Sequence, residues 1–388
     1  MAVLGIVCEM NPLHRGHQYL LDSARRLGAD RIVCVMSGNT VQRGEFATLN
    51  GYVRAEALVR CGADLVLELP FPWCSGSAES FARAGIRILS QFCDTVLFGS
   101  ECGNIELLTQ GGEIAASEQF RTAYRAALAE GEPAAAAYYR MLYEHGVGEL
   151  SSNDLLGVEY IRATRELGAE LQFLTVKRQG ASYGSTDLTP GEYPSARSIR
   201  RLWNLGRFAE SEAYLPAAAV EVYRRAYGEG RQLDPVRLDA LWLSFFRLHK
   251  GTELEGIAGT EGGLANRICA TASQVSTMEA LIAGIRTKRY TDTHLQRVML
   301  YCLAGVRPEE LLALPCYTTL LGVSRRGREL LAEKRKAGSL PVITKPADAP
   351  KDTAQYRLGE RITSAYATVL KHPRSSAELL TAKPYVES

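Results

Sequence analysis

Two imidazoles stand three residues apart in His14-Arg15-Gly16-His17. An apolar run, Ala2 to Cys8, precedes them and reads as a buried strand; Asn11-Pro12 makes a turn. Gln18 to Leu27 then has helical amphipathicity, with Gly28 placed to end it. The histidines therefore fall where a first strand hands over to a first helix, on one side of its opening turn. Such a turn offers unpaired backbone N–H groups and the positive end of a helix dipole, which suits phosphate. Gly16, lacking a Cβ, lets a nucleotide lie close to the backbone. The chemistry these features suit is nucleotidyl transfer from ATP. Attack on an α-phosphorus spreads negative charge over the phosphoryl oxygens and departing pyrophosphate, and fixed donors aimed at that charge lower the barrier. The quartet alone is equally compatible with two surface histidines near a turn; its position behind a buried first strand is what favours a nucleotide site.

The elements that must position this pair alternate. Strands are expected at 31–36, 64–69, 94–98 and 170–176, and helices at 50–61, 77–91 and 154–167, with a further helix opening near Pro194. Near-continuous apolar strands alternating with helices indicate an α/β fold with a Rossmann-like parallel sheet. Residues 105–146, rich in Ala and Glu, read as helices covering that sheet. Loops at the C-terminal ends of such strands bind ligands. Gln42 and Arg43, in the loop 37–47, are candidates for holding an anion, or else belong to an ordinary solvated loop. Gly99 ends the fourth strand and would allow a base or ribose to approach. Asn153 is either a site residue or only a helix cap. Ser198 and Arg200 open a helix and could grip phosphate through hydroxyl, guanidinium and N–H; Arg200 and Arg201 could equally be solvated helix charges.

Beyond about residue 208 strand signals fade, and 210–340 reads as amphipathic helices, among them 216–227, 235–249 and 263–271. A boundary is placed near residue 205; the segment from 347 onward carries no clear pattern. The 388 residues suffice for two cores, and a net charge of +2 selects no partner by itself. Nine cysteines without a C-x-x-C pair argue for reduced thiols and a cytoplasmic protein without a metal site. No signal peptide and no membrane span are expected. Charge is uneven, however: residues 286–345 carry twelve Lys/Arg against five Asp/Glu. The clusters contain Lys288, Arg289 and Tyr290, then Arg297, then Arg325, Arg326 and Arg328. Cations beside aromatic rings suit RNA phosphates and bases, although a solvated helical face would have the same composition.

Taken together, several stretches resemble the bacterial tRNA(Met) cytidine acetate ligases, within the HxGH nucleotidyltransferase superfamily. They are Glu9-x-Asn11-Pro12-x-His14-x-Gly16-His17, Met36-Ser-Gly38-x-x-x-Gln42-Arg43-Gly44-Glu45, Gly62-x-Asp64-Leu-Val-x-Glu68-Leu-Pro70 and Phe98-Gly99-Ser-Glu-x-Gly103. Asn153-x-x-Leu156-Gly157, Ser198-Ile-Arg200, Lys288-Arg289-Tyr290-Thr, Leu295-Gln296-Arg297 and Leu320-Leu-Gly322 follow in order. The resemblance implies an enzyme that joins acetate to ATP, releasing pyrophosphate, and passes the acetyl group to the wobble cytidine of elongator tRNA(Met), giving N4-acetylcytidine. It implies ATP binding by Val7, Cys8, Glu9, Met10, Asn11, Pro12, Leu13, His14, Arg15, Gly16, His17, Gln18, Tyr19 and Leu20, with Gly99, Asn153, Arg178 and Gln179. Met10, Leu13, Arg15 and Gln179 depart from the expected pattern; a contact at Gln179 would run through its backbone.

On this reading residues 1–205 form the ATP-binding nucleotidyltransferase domain and 206–388 a mainly helical tRNA-binding domain. His14 and His17 would be catalytic, stabilising the α-phosphoryl transition state, and Mg²⁺ would arrive with ATP. Acetate is already ionised at neutral pH, so adenylation needs no general base. Two other classes stay open: an enzyme adenylylating a small metabolite, and a non-catalytic RNA-binding protein regulated by ATP.

Overall fold

The computed structural model describes residues 2–178, 195–287, 290–334 and 338–387. Its first half contains β1 (Val3–Cys8), α1 (Arg15–Arg26), β2 (Arg31–Ser37), a small hairpin of β3 (Thr40–Val41) and β4 (Glu45–Phe46), α2 (Gly51–Arg60), β5 (Leu65–Leu69), α3 (Ala78–Leu89) and β6 (Thr95–Ser100). Three covering helices follow, α4 (Ile105–Ala116), α5 (Glu118–Ala129) and α6 (Ala134–Glu144), then α7 (Ser152–Leu167), β7 (Gln172–Lys177) and α8 (Ala196–Asn204).

β1 pairs in parallel with β2 from Val3↔Arg31 to Cys8↔Met36, and with β6 on its other side. β2 pairs with β5 and β6 with β7, all parallel. Alternation along β1 builds two cores. Val3 and Val7 pack on the side of α3 and α7, whereas Leu4 and Ile6 pack with α1, α2 and α8. Gly5 is small because α3 crosses close: a Cβ there would meet Leu89 and Cys93 side chains at 2.8–2.9 Å. β1 is thus central, and its C-terminal end opens at the crevice between two helical layers.

The second half is mainly helical: α9 (Phe208–Ser211), α10 (Ala217–Gly228), α11 (Pro235–Leu248), α12 (Leu264–Ala272), α13 (Met278–Ile285), α14 (Asp292–Ala304), α15 (Pro308–Leu312), α16 (Arg325–Lys334), α17 (Ala354–Thr368) and α18 (Ser376–Leu380). It also returns strands to the sheet. β8 (Thr318–Val323) pairs antiparallel with β5, and both β9 (Val342–Ile343) and β10 (Tyr385–Val386) pair with β8. The order is β10-β8-β5-β2-β1-β6-β7, with β9 beside β8. Strand signals therefore do not end near residue 208 as expected. Thr318–Val323 is a short apolar run among helices, and its pairing partner lies some 250 residues earlier. α10 packs on α2, so chain beyond residue 205 also covers the first half.

Candidate active site

The turn after β1 is held from several directions. Asn11 Oδ1 accepts the Thr48 N–H at 2.8 Å, and the Leu13 N–H donates to Tyr223 Oη at 3.1 Å. Arg200 donates to the Asn11 carbonyl at 2.8 Å. Arg54, fully buried on α2, donates to the carbonyls of Glu9, Ser37, Gly38 and Leu49. One guanidinium thereby ties the end of β1 to the end of β2. Met10, buried, has φ +49°, the left-handed region that a bulky residue rarely enters and that this web of contacts maintains.

The first helix begins at Arg15, earlier than the expected Gln18, and His14 is its cap. His14 Nδ1 accepts the Gly16 N–H at 3.1 Å; His17 Nδ1 accepts the His14 N–H at 3.3 Å. The rings stack with centroids 3.8 Å apart and planes 28° from parallel. Burial, then the neighbouring His17, Arg178 and Arg200, push the His14 imidazole well below its usual range. Burial and Arg178 push His17 down to about 3. Both rings are therefore neutral, and with Nδ1 accepting, the hydrogen of each ring resides on Nε2. Two neutral donors stand side by side at a helix N-terminus, without the repulsion that two imidazolium ions would suffer.

A cavity of about 280 Å³ opens above these rings. Its lining brings together most residues expected from the sequence: Val7, Cys8, Glu9, Met10, Asn11, His14, Gly16, His17, Tyr19 and Leu20, with Gln42, Arg43, Gly99, Asn153, Arg178 and Arg200. Asn153 is not the cap of its helix. Ser151 caps α7, and Asn153 Nδ2 donates to Glu101 at 2.6 Å. The same carboxylate lies 3.6 Å from Arg178 Nε, so Glu101 joins the two. Gln42 offers its backbone N–H to Glu9 at 2.7 Å. Burial raises the Glu9 carboxyl, while that bond and the cations Arg200 and Arg43 oppose the rise.

Several expected residues do not reach the cavity. Pro12 and Leu13 are buried beneath the turn, and Arg15 is exposed outside the lining. Gln18 turns away to Asp22 and the Cys61 carbonyl. Ser198 is buried in the first turn of α8, whose cap is Ser195; its hydroxyl lies 2.8 Å from Ser195 Oγ, and Ser195, not Ser198, lines the cavity. Gln179, Lys288 and Arg289 lie outside the described residues. Sequence reading missed the aromatic wall of Phe81, Phe98 and Tyr160, and the cations Lys177 and Arg197 at the rim. Gly157 was the available signal for the wall, since a Cβ there would strike the Phe98 ring.

The basic clusters are dispersed. Arg297 is half-buried and donates through Nε to the Gln42 carbonyl at 2.9 Å, so it faces the site loop and not an outer surface. Tyr290 is half-buried and stacks on His294 at 5.0 Å. Arg325, Arg326 and Arg328 are exposed on α16, with Arg326 3.2 Å from Asp64. Asp64 precedes β5, so this cluster sits at the N-terminal edge of the parallel strands, a strand's length from the cavity at their other end. Among the described residues no cluster of three or more His, Cys, Asp or Glu is gathered as a metal site, and no helix is long and apolar enough to cross a membrane. All nine cysteines are free thiols.

Comparison with known proteins finds relatives along nearly the whole chain. The HIGH Nucleotidyl Transferase family model matches residues 1–379. A tRNA(Met) cytidine acetate ligase of Acetivibrio thermocellus is 33% identical over 372 residues, covering 90% of this chain and 89% of the relative. That of Thermotoga maritima is 35% identical over 358 residues, covering 87% and 85%. Two crystal structures of Thermotoga maritima TmcAL superimpose on the whole chain and 99% of theirs: the apo form with TM-score 0.91 and 31% identity, and a form bound with alpha-thio ATP with TM-score 0.87 and 30% identity. A paired-histidine cleft at the end of β1, a matching family model and this extent of likeness place the chain in the tRNA(Met) cytidine acetate ligase family of HIGH nucleotidyl transferases.

Proposed function

We propose that this protein is an ATP- and acetate-dependent ligase that acetylates the wobble cytidine of elongator tRNA(Met), acting in the cytoplasm. The observation that carries the reading is the His14–His17 pair: two neutral Nε2–H donors and a helix N-terminus lining one cavity together with Arg178. In the first step an acetate oxygen attacks the α-phosphorus of ATP. The bond from that phosphorus to the bridging oxygen breaks, leaving acetyl-adenylate and pyrophosphate. No proton moves to or from acetate, so the site needs donors rather than a base, which matches imidazoles that are neutral and donate. Hydrogen bonds from the rings would strengthen as charge develops on the phosphoryl oxygens.

Gly99 would admit the nucleoside, and Asn153 and Arg178, joined by Glu101, would hold the ribose or phosphate end. Mg²⁺ would accompany ATP, coordinated mainly by phosphate oxygens and water. In the second step the cytosine N4 attacks the acetyl carbon, the bond to the adenylate oxygen breaks, AMP leaves and N4 gives up a proton. An unpaired anticodon base can enter the cleft at low cost. Lys177 and Arg197, at the cleft rim, suit the flanking RNA phosphates better than the distant Arg325–Arg328 cluster.

Incubating the purified protein with labelled acetate, ATP and total tRNA tests this. Label is expected in one methionine tRNA, at N4 of its wobble cytidine. Label that depends on ATP but appears in no RNA, or adenylylation of a small metabolite, would replace the reading.

A further inference from the structure

The Gln42 backbone is gripped on both sides. Its N–H donates to Glu9 Oε1 at 2.7 Å, and its carbonyl accepts from Arg297 Nε at 2.9 Å. Glu9 immediately follows β1, whereas Arg297 comes from α14, in the helical half. The hairpin β3–β4 that carries Gln42 and Arg43 pairs only two residues on each side; its strands are also held by Thr40 Oγ1 against Cys74 Sγ and by Phe46 against Trp242 and Tyr366, which leaves the turn at 42–44 to be placed by Glu9 and α14. Its far end also seats on α14. Gly44 has φ +79°, and a Cβ there would overlap the backbones of Gln296 and Arg297. Gln296 reaches Glu45 at 3.5 Å, and Glu45 lies 3.8 Å from Arg200. Burial disfavours the charge of the half-buried Arg297 guanidinium, Tyr301 and then Glu9 favour it, and Arg43 opposes it.

We propose that Arg297 is a positioning residue for the first step, acting through the Gln42 carbonyl to hold the Gln42–Arg43 wall of the cleft, and is not a contact for tRNA. This rests on the ligase reading for the identity of the reactants. β1 divides the cleft, with Gly99, Asn153 and Arg178 on the β6–β7 flank and Gln42 and Arg43 on the β2 flank. With the nucleoside on the first flank, the second is left to the attacking carboxylate. Losing Arg297 therefore degrades use of acetate while sparing ATP.

The test measures acetate-dependent exchange of pyrophosphate into ATP without tRNA, tRNA binding, and amide hydrogen exchange of residues 40–46, all on the full-length protein. For Arg297→Ala, kcat/KM for acetate should fall tenfold or more. KM for ATP and the Kd for tRNA should stay within about twofold, and the 40–46 amides should exchange faster. Arg297→Lys, which keeps one donor, should recover part of the loss. Should Arg297→Ala not fold, Gly44→Ala displaces the same hairpin from α14 with Arg297 intact and should give the same split. Weakened tRNA binding with unchanged acetate kinetics overturns the proposal, as does equal loss for ATP and acetate. If the unaltered protein shows no acetate-dependent exchange, the ligase reading fails, and unchanged 40–46 exchange in the variant would then refute the positioning role by itself.

Discussion

His17 Nδ1 accepts the backbone N–H of His14 at 3.3 Å while the two rings stack 3.8 Å apart. Each ring thus spends one nitrogen on the helix start, which fixes where its remaining hydrogen sits. Capping and the proposed catalytic role are separable by substitution. His14→Asn keeps a side-chain acceptor for the helix cap but loses the Nε2–H donor. It should lower kcat for acetyl-adenylate formation by roughly 10²–10³-fold, the usual cost of one such donor, with ATP affinity changed only a few-fold. His17→Ala should behave similarly. Exchange kinetics alongside ATP titration check this, and parallel losses in both would count against a transition-state role.

The depressed imidazoles make stability depend on pH in a definite sense. Between about 3 and 6.5 the unfolded chain binds a proton at position 17 that the native state does not, so stability falls as pH drops through that window. His14, lowered too, adds with the same sign. Glu9, raised by burial, acts oppositely: its contribution is lost as pH rises through its folded value. Comparing denaturant unfolding at pH 7 and pH 5, His17→Asn should lose roughly 2 kcal/mol less than the unaltered protein. An equal loss would mean that the ring titrates near its ordinary value in the folded state.

The proposed RNA face has a spatial prediction. Replacing Lys177 and Arg197 by Gln should weaken tRNA binding and flatten its dependence on salt by about one to two units of slope, whereas Arg325→Gln with Arg328→Gln should change little. Filter binding across a salt series decides between them, and the opposite ranking would move the RNA to the far end of the sheet.

Arg54 has a different role. It is wholly buried and satisfies four carbonyls on three segments. Arg54→Met should cost about 3–5 kcal/mol in unfolding free energy, because those carbonyls lose their shared donor. A loss under 1 kcal/mol would show that water replaces the guanidinium.

What the sequence made legible was local. β1, the turn and α1 are contiguous, and periodicity with a small set of cap residues places them; Asn50 and Ser77 cap α2 and α3 where the pattern suggests. β8 was not legible, because a short apolar run becomes a strand only through pairing with β5 across the fold. No local pattern singles out Arg54, Phe81 or Tyr160; only tertiary placement puts the first under the site and the others in its wall. Arg297 stood out in the sequence by its charge; that its Nε meets the carbonyl of residue 42 is visible only in the fold.

The most direct measurement is a crystal structure of this protein with a non-hydrolysable ATP analogue. The account predicts α-phosphoryl oxygens about 2.7–3.2 Å from Nε2 of His14 or His17, with the adenosine on the side of Gly99 and Asn153. A triphosphate seated away from both rings would contradict it.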